Sequence, residues 1–154
     1  MALSAKYVHT NLIAEDWRAL AQFYIDLFGC KPIPPERDLS GEWLDRATGL
    51  PNAHLEGVHL LLPGHGENGP TLEIFQYDEL TPLEGSHPNR RGFGHIAFSV
   101  DNVQAATEVV LSNGGRAIGE IVTIKIEDAG QITIAYVADP EGNIIELQQW
   151  HDGM

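Results

Sequence analysis

The strongest constraint on this chain is that it spells out one short structural plan twice. Gly94-His95-Ile96-Ala97-Phe98-Ser99-Val100 is an apolar, strand-like run with a histidine near its start. Asp101 and Asn102 follow, and their side chains can accept from the free amides of a first helical turn. Val103 to Ser112 has a helical pattern, and Asn113-Gly114-Gly115 ends it with residues that tolerate positive φ. Near the N-terminus the same order recurs. Tyr7 to Ile13 is a strand with an early histidine, His9. Glu15-Asp16 is an acidic cap, Trp17 to Phe28 a helix, and Gly29 its stop. Gly29 lies 20 residues after His9, as Gly115 does after His95.

The later parts of each copy also match. Leu60-Leu61-Leu62, a Pro-Gly loop and Thr71-Leu72-Glu73-Ile74-Phe75-Gln76-Tyr77 align with Tyr136-Val137-Ala138, Asp139-Pro140-Glu141-Gly142 and Ile144 to Trp150. In this alignment Leu60 falls on Tyr136, Glu73 on Glu146 and Tyr77 on Trp150. The His-to-Glu separation is 64 residues in the first copy and 51 in the second. The difference of 13 fits the Pro- and Gly-rich span 32–53. A fixed internal repeat decides the architecture before any single element does.

The pattern predicts strands at 6–14, 30–36, 54–62 and 71–77 and a helix at 16–28 in the first copy. Pro32, Pro34 and Pro35 suit an edge strand or a loop there rather than a central strand. Residues 37–53 read as a long polar loop carrying Trp43, Leu44 and Leu50. The second copy predicts strands at 93–100, 117–126, 131–138 and 143–150 and a helix at 102–112. Each copy is therefore βαβββ. Two tandem modules, 5–78 and 92–150 with a linker 79–91, make one α+β domain over residues 1–154.

A chain of 154 residues with 43% hydrophobic content can bury a core of that size. No run approaches the ~20 apolar residues of a membrane-spanning helix. The net charge of −13 opposes contact with phosphate backbones and anionic lipid, so neither nucleic acid nor membrane is expected as a partner. The first residues show no charged-then-apolar leader pattern, and Cys30 is the only cysteine, so a reducing, cytoplasmic setting is expected.

His9, Glu73, His95 and Glu146 are the equivalent His and Glu positions of the two copies. One strand histidine is ordinarily a hydrogen-bonding group, and one strand glutamate ordinarily faces solvent. Four such positions related by a single repeat are different: pseudo-two-fold packing can bring them to one point. Two imidazoles and two carboxylates there suit a divalent transition metal. Of the other histidines, His65 and His151 read as solvated loop or tail residues, and His59 as a strand residue that could line a cavity but fits core packing or a surface position better.

The motifs "VHTNLIAED", "TLEIFQY", "GHIAFSVDN" and "DPEGNIIELQQ" resemble the vicinal oxygen chelate superfamily over nearly the whole chain. In ligand order the chain is similar to glyoxalase I (lactoylglutathione lyase) and to methylmalonyl-CoA epimerase. The resemblance implies a curved mixed sheet around a metal site holding nickel, cobalt, zinc, iron or manganese. It implies a small-molecule substrate with two vicinal oxygens, and a homodimer. It gives His9, Glu73, His95 and Glu146 as ligands, Glu146 as the base that moves a carbon-bound proton, and Glu73 as its symmetric counterpart. The pocket expected from it contains Ile13, Trp43, Tyr77 and Lys125. Glutathione-dependent members carry an arginine at the position of Ile13 and an asparagine at that of Tyr77, and these departures weigh against glutathione. The same superfamily allows an epimerase of 2-methyl-acyl thioesters, a ring-cleaving dioxygenase, or a non-enzymatic antibiotic-binding protein as alternatives.

Overall fold

Asp16 opens the first helix: its side chain accepts from Ala19 N at 3.0 Å. Gly29 closes the helix in the left-handed region, at φ 68°. Trp17, Leu20, Ala21 and Tyr24 recur at helical spacing and are buried. The computed structural model describes residues 1–151 and divides them into a first unit ending at Thr81 and a second starting at Pro82.

The first unit runs β1 (His9–Ile13), α1 (Trp17–Phe28), β2 (Lys31–Ser40), α2 (Glu42–Thr48), β3 (His54–Leu61) and β4 (Thr71–Tyr77). Its sheet order is β1-β4-β3-β2. β1 pairs with β4 in parallel and the other pairs are antiparallel. α1 packs on β3 and β4 and covers the face carrying Leu60, Leu72 and Ile74, each at most 1% exposed. Glu73 lies on the opposite face, because side chains alternate along a strand.

The second unit runs β5 (Ile96–Ser99), α3 (Val103–Ser112), β6 (Arg116–Ala117), β7 (Val122–Ile126), β8 (Gly130–Ala138) and β9 (Ile144–His151). Its order is β5-β9-β8-β6, with β7 also on β8. Asn102 caps α3 by accepting from Ala105 N at 2.8 Å. α3 packs on β8 and β9, and Val137, Ile145 and Leu147 are fully buried. Within the stretch read as linker, the Ser86 hydroxyl donates to the Gly142 carbonyl at 2.6 Å and accepts from Arg116 at 2.6 Å.

The repeat extends to strand register. Asn11 lies opposite Glu73 on the parallel neighbour, and Ala97 lies opposite Glu146. Both edge strands also slip. The β2–β3 register shifts between Ile33 and Arg37, next to Pro34-Pro35. The strand expected over 117–126 is broken into β6 and β7 around Gly119, and the pairing on β8 resumes two residues out of step. Bulges of this kind bend an edge and re-aim side chains.

Two further expectations are corrected. The segment 37–53 is not a loop: β2 runs on to Ser40, and α2 lies between Gly41 (φ 125°) and Gly49 (φ 75°). Glu42 in its first turn and Arg46 in its last complement the helix dipole. Leu44 makes the helix worthwhile, since it packs with Ala53, Leu55, Leu39, Phe75 and Tyr77. His151 is not a solvated tail residue. It ends β9 half-buried, with Nε2 2.7 Å from Thr133 Oγ1.

Candidate functional site

Glu73 sits on a strand flanked on both sides, and it is only 8% exposed. An unpaired carboxylate in that position would be costly. Its cross-strand neighbours answer that cost. Asn11 Nδ2 donates to Oε1 at 2.8 Å. His59, directly opposite on β3, brings Nε2 to 2.7 Å from Oε2. His9, two residues before Asn11 on the same face of β1, has Nε2 3.5 Å from Oε1. The His9 and His59 rings meet edge-on at 5.6 Å. His9, His59 and Glu73 thus offer three ligand atoms all within 4.8 Å of one another. Burial holds the His59 imidazole below the ordinary histidine value, against the opposing pull of Glu73. A neutral imidazole is the form that ligates a metal.

The rest of this face turns apolar. The Phe75 ring stands edge-on to His59 at 6.0 Å. Tyr77 belongs to the α2 cluster that closes the far end. Ile13 shares the Glu73 face from β1 and is half exposed. Trp43 is 52% exposed on α2, with its indole nitrogen donating to the Ser40 carbonyl at 3.1 Å.

The second unit repeats the arrangement with other side chains. His95 Nε2 is 3.8 Å from Glu146 Oε1. Tyr136 lies opposite Glu146, as His59 lies opposite Glu73, and its ring is 5.1 Å from that of His95. Burial first, and then its hydrogen bond to Glu146, raise the Tyr136 phenol above the usual tyrosine value, so it stays protonated and donates. Gln148 Nε2 donates to Glu146 Oε2 at 2.6 Å, and Trp150 Nε1 donates to Gln148 Oε1 at 3.1 Å. Ala97 takes the place of Asn11.

Register corrects two sequence readings. The structural counterpart of Tyr136 is His59, not Leu60, so the sequence alignment of β3 on β8 was one residue out. That slip hid the equivalence of His59 and Tyr136. Lys125 is not brought to Glu146. It pairs with Gln131, five residues from Tyr136, which puts it on the other face of the sheet.

A second group of three potential ligands, Asp38, His54 and Glu56, lies elsewhere in the first unit. There His54 is held between Asp38 (2.6 Å) and Asp78 (2.9 Å). The hydrogen bonds to Asp38 and then Asp78 raise its basicity. A raised value means a contribution that is complete below the unfolded histidine value and is lost as pH rises through that of folded His54. In an NMR titration the His54 ring should change charge above the ordinary histidine range, and Asp38→Asn with Asp78→Asn should bring it back. An unmoved titration in that double variant would show that the contacts do not set it.

Two duplicated βαβββ units, each presenting a His–Glu pair on an open sheet face, define a class of fold. The chain belongs to the Glyoxalase/Bleomycin resistance protein/Dioxygenase superfamily, whose family profile matches residues 6–147. It is 40% identical over 149 residues to a protein named lactoylglutathione lyase from Salmonella typhimurium, covering 96% of this chain and 94% of that one. The fold matches a glyoxalase family protein from Bacillus cereus with TM-score 0.73 and 19% identity, over 97% and 95% of the two chains. It also matches the fosfomycin resistance protein FosX from Listeria monocytogenes, solved with Mn(II) and sulfate, with TM-score 0.54 and 16% identity over 98% and 96%. Among the described residues no helix is long and apolar enough to cross a membrane.

Proposed function

We propose that this chain is a metal-dependent lyase or isomerase that removes a carbon-bound proton from a small substrate bearing two vicinal oxygens and returns it to the adjacent carbon or to the opposite face. The observation that carries this reading is the nearly buried Glu73 carboxylate with two imidazole nitrogens turned toward it, matched by His95 and Glu146. Nitrogen and carboxylate donors in that proportion suit a first-row divalent metal. His9, Glu73, His95 and Glu146 are the proposed ligands, with a homodimer of this chain as the working form. A divalent metal held there supplies Lewis acidity that polarises a substrate carbonyl and makes the neighbouring C–H acidic.

The residues do the rest. Glu146 is the proposed base: its carboxylate takes the proton from one carbon and returns it to the next carbon or to the other face, with no net change in redox state. Tyr136 and Gln148 orient that carboxylate by donating to it. Glu73 is its counterpart, oriented by Asn11. Ile13, Phe75 and Tyr77 favour an apolar substrate portion over the charged ends of glutathione, although the relative at 40% identity is named for the glutathione adduct.

The test is metal analysis of the purified protein, then assays before and after chelation. Hemithioacetals of a 2-oxoaldehyde with several thiols, and 2-methyl-acyl thioesters, would be followed by formation of the isomerised or epimerised product. Isomerisation or epimerisation that falls at least ~100-fold on chelation and returns with Ni, Co, Zn, Fe or Mn supports the reading. Full metal loading with no product from either substrate class overturns it. A second reading, ring-cleaving oxygenation, is favoured by the two-imidazole, one-carboxylate composition of His9, His59 and Glu73. Oxygen consumption with a catechol after Fe(II) reconstitution would establish that reading instead.

A further inference from the structure

We infer that His59 is itself a metal ligand, so that three imidazoles rather than two serve the centre. This rests on the metal reading above and adds a donor that the repeat does not supply. His59 presents Nε2, the same ring atom as His9, to the same carboxylate. Adjacent donors around a metal with bonds of ~2.1 Å lie roughly 3 to 3.5 Å apart. The His9–Glu73 pair has that spacing at 3.5 Å, His59 lies 2.7 Å from the other oxygen of the same carboxylate, and one ligand atom from each of the three residues lies within 4.8 Å of the others.

The other ring nitrogen of His59 is also provided for. Nδ1 is 3.5 Å from Thr71 Oγ1, on the strand that carries Glu73. Ligating histidines ordinarily engage their second nitrogen in this way, which fixes the tautomer and ring plane. Phe75 backs the ring edge-on. Orientation of Glu73 does not require His59, because Asn11 already donates to its Oε1 at 2.8 Å.

The competing role is that of a hydrogen-bond donor that only positions Glu73, as Tyr136 does for Glu146. The two roles separate in His59→Gln, which keeps an N–H donor and removes the imidazole. Metal affinity would be measured by competition with a chromophoric chelator, and far-UV circular dichroism would check the fold. As a ligand, His59 gives a loss of more than ~100-fold in affinity in His59→Gln, beyond the roughly 10–100-fold that follows from losing a partner that only orients a ligand. Unchanged affinity in folded His59→Gln overturns the inference and leaves the metal reading intact. No metal binding by the unaltered protein overturns both.

A second measurement does not depend on the variant's stability. Co(II)-loaded wild-type protein, with histidines labelled at nitrogen, should show hyperfine-shifted N–H resonances from three histidine rings, including one assigned to His59. Shifted resonances from His9 and His95 alone would refute a direct bond from His59.

Discussion

Glu146→Gln is expected to slow carbon-to-carbon proton transfer by about 10³-fold at saturating metal, or roughly 4 kcal/mol in the barrier. The glutamine keeps the side-chain shape and one acceptor oxygen for a donor such as Gln148, and the backbone strand pairing does not involve the side chain. What it lacks is a group that can hold the abstracted proton. Loss of a group that acts only in the transition state lowers kcat and kcat/KM together. Glu146 is also a proposed ligand, so metal content must be measured alongside the rate. A variant that carries stoichiometric metal and retains a rate within ten-fold of the unaltered protein would move the base elsewhere, first to Glu73.

Gly57→Ala should destabilise the protein by about 3 kcal/mol. Gly57 lies on β3 opposite Phe75, where the two strands approach closely. A Cβ built there would sit 2.1 Å from the Ile74 carbonyl oxygen, 2.6 Å from Phe75 Cδ1 and 2.9 Å from Phe75 Cα. Two of these atoms are backbone and cannot swing aside. In an open strand, replacing glycine by alanine would instead be favourable by roughly 0.5–1 kcal/mol, since glycine loses more conformational freedom on folding. For a chain of this size the expected fall in melting temperature is roughly 6–12 °C. Gly119→Ala is the control. A Cβ there meets nothing within 4 Å, and its effect should stay within about 0.5 kcal/mol. Equal melting temperatures for the two variants would show that β3 and β4 can part without cost. The effect should also reach the site, because Phe75 is the ring against which His59 stands.

Much of this arrangement was legible in the amino-acid order, for reasons that are local. Asp16, Asn102 and Gly29 mark helix ends because caps and left-handed stops require particular residue types. The His-then-Glu pairing within each copy followed from the repeat, and the parallel registers Asn11–Glu73 and Ala97–Glu146 explain why it does. The prolines of β2 marked an edge strand or a loop rather than a central strand, and β2 is an edge strand.

What escaped was the register of antiparallel pairs, which depends on hairpin length rather than composition. Leu60-Leu61-Leu62 carries no polar mark to fix its alignment, and a slip of one residue moves every side chain to the other face. The true offset places His59 and Tyr136 against the two glutamates. The face of Lys125 likewise depends on the short turn between β7 and β8, where Asp128 takes φ 64° and Ala129 N donates to the Ile126 carbonyl at 3.0 Å. Helix α2 was concealed by its shortness, although Gly41 and Gly49 bracket it and Leu44 supplies its buried anchor.

The imidazoles around Glu73 are proposed to hold a cation, and this proposal is open to direct observation. Its most direct test is an anomalous diffraction map from crystals of the metal-loaded protein, recorded at the absorption edge of the bound metal. The account predicts a peak about 2.0–2.3 Å from His9 Nε2 and from a Glu73 carboxylate oxygen. A peak among Asp38, His54 and Glu56 with none at Glu73 would contradict it.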